Sequence, residues 1–143
     1  MSQGVWALLV VVPIALVIGL IWRARQGAVR RSEGEVAVSK FPDGLRQQLP
    51  EPGAARVTLL QLSTTFCAPC RHTRILLGGY AERTEGVQHV EVDLTDHPEW
   101  STPLRVHTTP TTLVLDSAGE EIFRVGGVPK PQVLDEALAP YLN

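Results

Sequence analysis

The sequence Thr64-Thr65-Phe66-Cys67-Ala68-Pro69-Cys70-Arg71 holds both cysteines of the chain, three positions apart. An apolar, β-branched run from Val57 to Leu62 precedes it and predicts a buried strand. The residues from Arg71 to Tyr80 include no proline and predict a helix. A Cys-x-x-Cys pair between a strand and a helix is typical of a thiol–disulfide redox site.

The position of Cys67 at the predicted helix start indicates its role. The first backbone N–H groups of a helix lack partners within the helix and, together with the helix dipole, favour negative charge. In such motifs the pKa of a cysteine falls from about 8.5 to about 3.5–7.5, so the attacking thiolate forms readily. We therefore predict that Cys67 is the nucleophile and that Cys70, one turn later, resolves the mixed disulfide. Pro69 suits the first helical turn, where its missing N–H costs nothing.

A zinc site and a purely structural disulfide are the alternatives to redox chemistry for the cysteine pair. A zinc site usually needs four ligands, and the remaining candidates, His72, His89, His97 and His107, have no ligand-like spacing. A purely structural disulfide across three residues would close almost no loop and would add little stability. We therefore expect a redox-active disulfide between Cys67 and Cys70, no metal and no other cofactor.

An apolar segment near the start of the chain predicts a membrane anchor. Val5 to Trp22 is an uncharged run of 18 residues, which as a helix would be about 27 Å long and would cross most of a bilayer core. Trp6 and Trp22 bracket it, as aromatic residues do at membrane interfaces. A cleaved signal peptide is the alternative; the absence of a basic residue before the run and the length of the run favour a retained anchor.

The charges after the span predict its orientation. Basic residues follow it closely, at Arg23, Arg25, Arg30 and Arg31, and none precedes it. The positive-inside rule then places the following domain in the cytoplasm, although an extracytoplasmic location stays open because the cysteine usage fits either compartment. We divide the chain into an anchor with its basic flank, residues 1–31, and a domain, residues 32–143. Ser32 to Ser39 is interpreted as a linker or a weak first strand.

The composition of the domain excludes one class of partner. After Arg31 the chain carries 9 basic and 15 acidic residues, a net charge of −6. Nucleic-acid-binding domains usually show a basic patch, so we discard nucleic acid as a partner. The sequence gives no signal for an oligomeric state.

The pattern after the motif predicts an α/β fold. Gly78-Gly79 is expected to end or bend the motif helix. The further predicted elements are a strand over Val87–Leu94, a short helix over Pro98–Arg105 capped by Asp96, strands over Thr111–Leu115 and Glu121–Val125 joined by a turn at Asp116–Gly119, and an amphipathic helix over Lys130–Tyr141. This order predicts a mixed sheet covered by helices on both faces.

From about residue 36 to its end, the chain resembles the thioredoxin family. The resemblance rests on the Cys67-Ala68-Pro69-Cys70 motif with its preceding strand, on Val92-Asp93, on Thr109-Pro110-Thr111 and on Val125-Gly126-Gly127, in this order and spacing. It implies the thioredoxin fold, a cis peptide bond before Pro110 that faces the cysteines, and a backbone edge at Thr109 with which a substrate peptide can pair. The implied substrate-binding surface consists of Phe66, Ala68, Pro69, Thr109 and Pro110.

The sequence departs from this family at several positions. Phe66 stands where the family usually has Trp, and Ala68 where thioredoxins proper have Gly. Gln61, which cannot titrate, occupies the position of a buried Asp that helps to move the proton of the second cysteine. The opposite Lys is also missing, since the local sequence is His89-Val90-Glu91. Deprotonation of Cys70 would then rely on water, on Glu91 or on a neighbouring histidine, for which His107 is one candidate.

The sequence therefore predicts a membrane-anchored thiol–disulfide oxidoreductase that acts on a protein disulfide or a thiol redox partner. Pro69 matches the pattern of reducing members, so we expect reduction of partner disulfides. The first alternative is a dedicated electron-relay or redox-maintenance subunit of a membrane protein complex. The second is a chaperone-like or scaffold domain whose cysteines take no part in its function.

Overall fold

The structure, a computed structural model, describes residues 3–31 and 40–143 of the chain. In chain order its elements are α1 (Gln3–Arg25), β1 (Val29–Arg31), α2 (Asp43–Arg46), β2 (Val57–Ser63), α3 (Ala68–Arg83), β3 (Val87–Asp93), a 3-10 helix (Pro98–Trp100), β4 (Thr111–Asp116), β5 (Glu121–Gly126) and α4 (Pro131–Leu142).

The five strands form one mixed sheet in the order β1-β5-β4-β2-β3. Strand β2 pairs in parallel with β3, as expected for two strands joined by a crossover helix, here α3. The pairs β2–β4, β4–β5 and β1–β5 are antiparallel. The predicted mixed sheet with helices on both faces is confirmed.

Two apolar cores lie on the two faces of the sheet, because successive side chains of a strand point to opposite faces. On one face, Leu59 of β2 packs in a cluster with Leu77 of α3 and Leu138 of α4. On the other face, Leu60 packs in a cluster with Leu45 of α2 and with residues of the 94–104 segment. All seven residues of β2 are buried, so the strand that leads into the cysteine motif is held from both sides.

Helix α3 continues through Gly78 and Gly79 to Arg83, so these glycines do not end it, one of the two outcomes that the sequence predicted. Each glycine costs about 1 kcal/mol relative to alanine in a helix interior. Leu77 and Tyr80 are buried on either side of them, and burial of side chains of this size contributes about 1.5–3 kcal/mol each. Packing against the sheet therefore outweighs the local preference of the glycines.

The helix predicted over Pro98–Arg105 is shorter than expected. A single 3-10 turn spans Pro98–Trp100, and its N-terminal capping position is His97, which makes no side-chain capping hydrogen bond, rather than Asp96. Turns follow as far as Arg105. Pro103 explains the difference, because it lacks an N–H donor and disfavours helical geometry in the residue before it.

Strand β1 is an element that the sequence did not predict. Val29–Arg31 pairs with β5 at the edge of the sheet, although these residues fall in the basic flank of the expected anchor. The interpretation of Ser32–Ser39 as a linker or weak strand lies outside the residues that the structure describes.

Helix α1 is long and apolar enough to cross a membrane. Its 23 residues correspond to a length of about 34 Å. None of its side chains is buried, so its apolar surface is not covered by the other residues that the structure describes.

Candidate active site

The cysteine motif lies where β2 ends and α3 begins. Cys67 is the N-terminal capping residue of α3, with extended backbone geometry, and its Sγ accepts a hydrogen bond from the backbone N–H of Cys70 at 3.2 Å. Pro69 lies in the first turn, where a residue without an N–H donor is tolerated. Cys67 and Cys70 form a disulfide bond, so the two sulfurs are bonded to each other and are not free metal ligands.

The two cysteines differ in exposure. Cys70 is only 2% exposed, whereas Cys67 is partly exposed and its neighbours Ala68 and Pro69 are exposed. Phe66 is 98% exposed, more than any other large apolar side chain of the described residues. An incoming sulfur can therefore approach Cys67 more easily than Cys70.

The segment that carries Pro110 lies beside the motif. The Thr109–Pro110 peptide bond is cis, as the resemblance implied. Thr109 Oγ1 lies 3.4 Å from Thr64 Oγ1, directly upstream of the motif. The Pro110 carbonyl accepts a hydrogen bond from the N–H of Gly127 at 2.8 Å. The structure thus brings Thr109 and Pro110 next to the residues that lead into Cys67.

Gln61 occupies the interior behind the motif and is fully buried. Its Nε2 donates to the Cys70 carbonyl and to Ser63 Oγ, both at 2.9 Å, and lies 3.5 Å from Glu91 Oε1. Its Oε1 lies 3.0 Å from His89 Nε2. A backbone carbonyl and a carboxylate only accept hydrogen bonds, so the amide nitrogen must face them. His89 must then donate from Nε2.

The cluster of polar side chains around Gln61 also includes an ion pair between Glu91 and the more exposed Arg74. Glu91 Oε1 accepts a hydrogen bond from Arg74 Nη2 at 2.9 Å, and Glu91 Oε2 accepts a second from Arg74 Nε. Partial burial lowers the pKa of His89 below its ordinary value; the Glu91 carboxylate opposes this shift and Arg74 reinforces it. His89 is therefore neutral at neutral pH and stays so to lower pH than a free histidine.

Replacement of Gln61 by leucine is expected to lower the free energy of unfolding by about 1–3 kcal/mol. The substitution leaves the buried Cys70 carbonyl and the His89 N–H without their partner, and unsatisfied buried groups cost about that much. Urea unfolding of the full chain in detergent measures the change. Gln88→Leu is the matched control, because Gln88 is an exposed glutamine on β3 and such substitutions usually stay within about 0.5 kcal/mol. Equal effects of the two substitutions would contradict the structural role of Gln61.

The lowered pKa of His89 predicts a pH dependence of stability. The unfolded chain binds a proton at His89 more readily than the folded one, so folding is favoured above the unfolded pKa of about 6.5 and loses this contribution as the pH falls below it. His89→Gln retains an N–H donor for Gln61 but cannot titrate. Between about pH 7.5 and pH 5, urea midpoints of the native chain should therefore fall further than those of the variant. Parallel pH profiles would show that His89 does not contribute.

His72, directly after the motif, and His107, three residues before Pro110, are both exposed. His89, to which no role was assigned from the sequence, contacts Gln61 instead. The alternation of β3 could have indicated this, because residues 89 and 91 point to the same face of the sheet.

Sequence reasoning missed a buried ion pair beside the segment that leads to Pro110. Arg124 pairs with the fully buried carboxylate of Glu121 through Nε and Nη2, at 2.6 and 2.8 Å. Its Nη1 donates to the carbonyls of Leu104 and Arg105 at 3.1 and 3.2 Å. This arginine therefore fixes the segment that leads to Pro110.

The chain is similar to known proteins over the part that carries this site. A thioredoxin-like protein, YosR, from an SPbeta prophage of Bacillus subtilis is 35% identical over 80 residues, which cover 56% of this chain and 92% of the relative. The thioredoxin of Mycoplasma genitalium is 23% identical over 82 residues, covering 57% of this chain and 80% of the relative. No protein-family model matches the chain.

Solved structures show the same fold. A mutant thioredoxin from Halobacterium salinarum superposes with a TM-score of 0.57 at 20% identity, covering 64% of this chain and 79% of that one. The reduced thioredoxin pre-protein of Schistosoma mansoni gives a TM-score of 0.56 at 21% identity, with 69% and 92% covered. With its disulfide at the start of α3, its cis Pro110 and a relative matched over nearly its whole length, the chain belongs to the thioredoxin-like family.

Proposed function

We propose that this protein is a membrane-anchored thiol–disulfide oxidoreductase that reduces disulfides of partner proteins. The observation that carries the proposal is the placement of Cys67. It is the partly exposed member of the disulfide, it occupies the capping position of α3, and its sulfur accepts a hydrogen bond from a backbone N–H. A helix start with unpaired N–H groups stabilises negative charge on that sulfur when the disulfide is open.

The reaction follows from the exposure of the two sulfurs. In the reduced protein the Cys67 thiolate attacks one sulfur of the partner disulfide, forming a mixed disulfide and releasing a partner thiolate. Cys70, buried one turn away, then attacks Cys67 and releases the second partner sulfur. Two electrons pass from the cysteine pair to the partner, and the Cys70 proton passes to the departing sulfur. The product is the Cys67–Cys70 disulfide that the structure contains.

The substrate would bind across the cysteine motif and the neighbouring segment that carries Thr109 and Pro110. Phe66, Ala68 and Pro69 supply exposed apolar surface, and Thr109 with Pro110 lies alongside. An extended peptide can pair with an exposed backbone edge such as that of Thr109. The direction of the reaction depends on the reduction potential of the cysteine pair, which in related motifs ranges from about −270 to −120 mV.

A turnover assay tests this function. The full chain in detergent should accelerate reduction of insulin disulfides by a small dithiol, and a sample alkylated at its cysteines should not. A rate equal to that of the dithiol alone would contradict the proposal. The full chain is needed because β1, which begins at Val29, belongs to the sheet; a fragment that begins at residue 36 would lack it.

A dedicated electron-relay subunit of a membrane complex is the second candidate. It is favoured by α1, whose apolar surface has no partner among the described residues. In Cys70→Ser the mixed disulfide cannot be resolved, so this variant should trap the partner covalently. Capture of one integral membrane protein would favour the relay, and capture of many proteins would favour the general reductase.

We place the domain on the cytoplasmic side of the membrane, supported by the basic residues after α1. A membrane-impermeant thiol reagent applied to intact cells should then leave Cys67 unlabelled until the cells are lysed. Labelling of Cys67 before lysis would place the domain outside.

A further inference from the structure

Helix α1 joins the sheet through a very short connection. It ends at Arg25, and β1 begins at Val29. Gly27 adopts a left-handed conformation with φ of 76°, and its N–H donates to the Gly126 carbonyl at 2.8 Å. A Cβ at this position would lie 2.6 Å from the Val128 carbonyl oxygen, so only glycine fits. The end of α1 is therefore held close to the sheet.

The strand register shows at which end of the sheet this connection lies. Val29, Val125, Thr112 and Gln61 form one row across β1, β5, β4 and β2. Strands β1 and β2 run in opposite directions, because three antiparallel pairings separate them. The chain before Val29 and the chain after Gln61 therefore leave the sheet at the same end. Three strand spacings, about 14 Å in total, separate the two strands laterally.

The same end carries the rest of the site. The N–H of Gly127, next to the residue that binds Gly27, donates to the Pro110 carbonyl. We call this end of the sheet, which carries α1, the cysteine motif and Pro110, the redox pole. The opposite end carries the turn with Ser117, which follows β4.

Helix α1 projects away from the domain at the redox pole. All of its described side chains are exposed, so it does not fold back over the sheet. Trp22 is 70% exposed near its end, where tryptophan marks the interface of a membrane span. Only residues 26–28 separate the end of the helix from β1, and three residues reach at most about 11 Å. A membrane-spanning α1 thus leaves the redox pole at the level of the lipid headgroups.

We propose that α1 holds the redox pole against the membrane surface, so that the partner is a disulfide of an integral membrane protein, exposed at headgroup depth. This inference rests on the proposed function, both for the anchor and for thiol exchange. Cys67 forms the bond to the partner sulfur, Cys70 breaks it, and the membrane protein leaves as a dithiol with two electrons gained. The exposed Phe66 lies beside Cys67 on this side and supplies apolar contact to such a partner.

The position of the redox pole can be measured without any chemistry at the cysteines. A photoreactive benzoyl-phenylalanine replaces Phe66 in one variant and Ser117, an exposed residue of the opposite end, in a second. Both full-length variants are reconstituted in vesicles of phosphatidylcholine and phosphatidylglycerol and illuminated. We expect lipid adducts at position 66 to exceed those at position 117 about tenfold or more. Position 117 is separated from the redox pole by the length of the six-residue strands, about 20 Å. Equal adducts, or more at 117, would overturn the inference.

The choice of partner is tested with a spacer. About 20 residues of rigid helix inserted after Arg25 would lift the redox pole about 30 Å from the membrane. Two disulfide substrates are compared in vesicles: a single-span peptide with its disulfide at headgroup depth, and soluble insulin. Loss of proximity lowers the effective concentration of the peptide disulfide, so we expect its reduction to slow about tenfold or more. Reduction of insulin should not slow, because the spacer leaves the cysteine pair accessible to a soluble substrate.

The two substrates separate failure of this inference from failure of the proposed function. If the native chain reduces neither substrate, the oxidoreductase function itself is wrong. If the native chain reduces both, and the spacer variant reduces the peptide as fast as the native chain does, the function holds and the membrane-facing placement is wrong. The insulin rate of the spacer variant also shows that its domain is folded.

Discussion

Replacement of Cys67 by serine is expected to lower the rate of insulin reduction about a thousandfold or more, since removal of a covalent nucleophile costs at least that much in well-studied enzymes. A serine hydroxyl does not ionise at neutral pH and forms no mixed disulfide. The N–H of Cys70, which lies 3.2 Å from the Cys67 sulfur, would then have no thiolate to stabilise. Turnover of the full chain in detergent, with a small dithiol as electron donor, measures the effect.

Cys70→Ser is the matched control, because both serine variants lack the Cys67–Cys70 bond and differ only in which sulfur remains. This variant retains the accessible nucleophile, so it should complete the first exchange and accumulate as a mixed disulfide visible on a non-reducing gel. Turnover of the Cys67→Ser variant at the native rate would contradict the role of Cys67 as the nucleophile. A mixed disulfide trapped by Cys67→Ser and not by Cys70→Ser would show that the two roles are reversed.

Replacement of Arg124 by leucine is expected to lower the free energy of unfolding by about 3–5 kcal/mol, the usual cost of removing one partner of a buried ion pair. The side chain of Glu121 is fully buried, and that of Arg124 is 12% exposed. Without the guanidinium, the Glu121 carboxylate would be buried without its partner. The carbonyls of Leu104 and Arg105 would also lose a donor. Urea unfolding of the full chain in detergent measures the loss.

Two further variants define what this effect means. Arg46→Leu removes an exposed ion pair with Asp43 on α2 and should cost no more than about 1 kcal/mol. A double variant, Glu121→Leu with Arg124→Leu, removes both buried charges and should recover part of the loss, because well-packed apolar residues can replace a buried pair. Equal losses from Arg124→Leu and Arg46→Leu would show that the burial of the Glu121–Arg124 pair has no energetic consequence.

The central part of the fold was predictable because its signals are local. Val57–Leu62 is mostly apolar, as expected for a strand that is buried on both faces. The turn at Asp116–Gly119 has the residues that a hairpin needs; Gly119 adopts a φ of 84° and the Asp116 carboxylate accepts hydrogen bonds from Ala118 and Glu120. The run from Arg71 to Tyr80, which has no proline, indicated the helix that follows the Cys-x-x-Cys motif.

The elements that were not predicted depend on partners distant in sequence. Val29–Arg31 has no alternation or apolar pattern and is a strand only because β5 lies beside it. Gln61 was identified as a departure from the family, but its contacts join β2, α3 and β3, and no local pattern shows them. Glu121 looks like an ordinary polar residue after a turn, and no local pattern shows that it is buried and paired with the arginine three positions later.

The pairing of β1 with β5 has a consequence for how the protein behaves when α1 and β1 are removed. An unpaired outer strand offers a row of free N–H and C=O groups to other chains, and proteins protect such rows to avoid aggregation. Here the residues that follow α1 cover that row on β5. Cleavage that released β1 together with α1 would therefore yield a fragment prone to self-association, so the segment that joins α1 to the domain also protects the domain from aggregation.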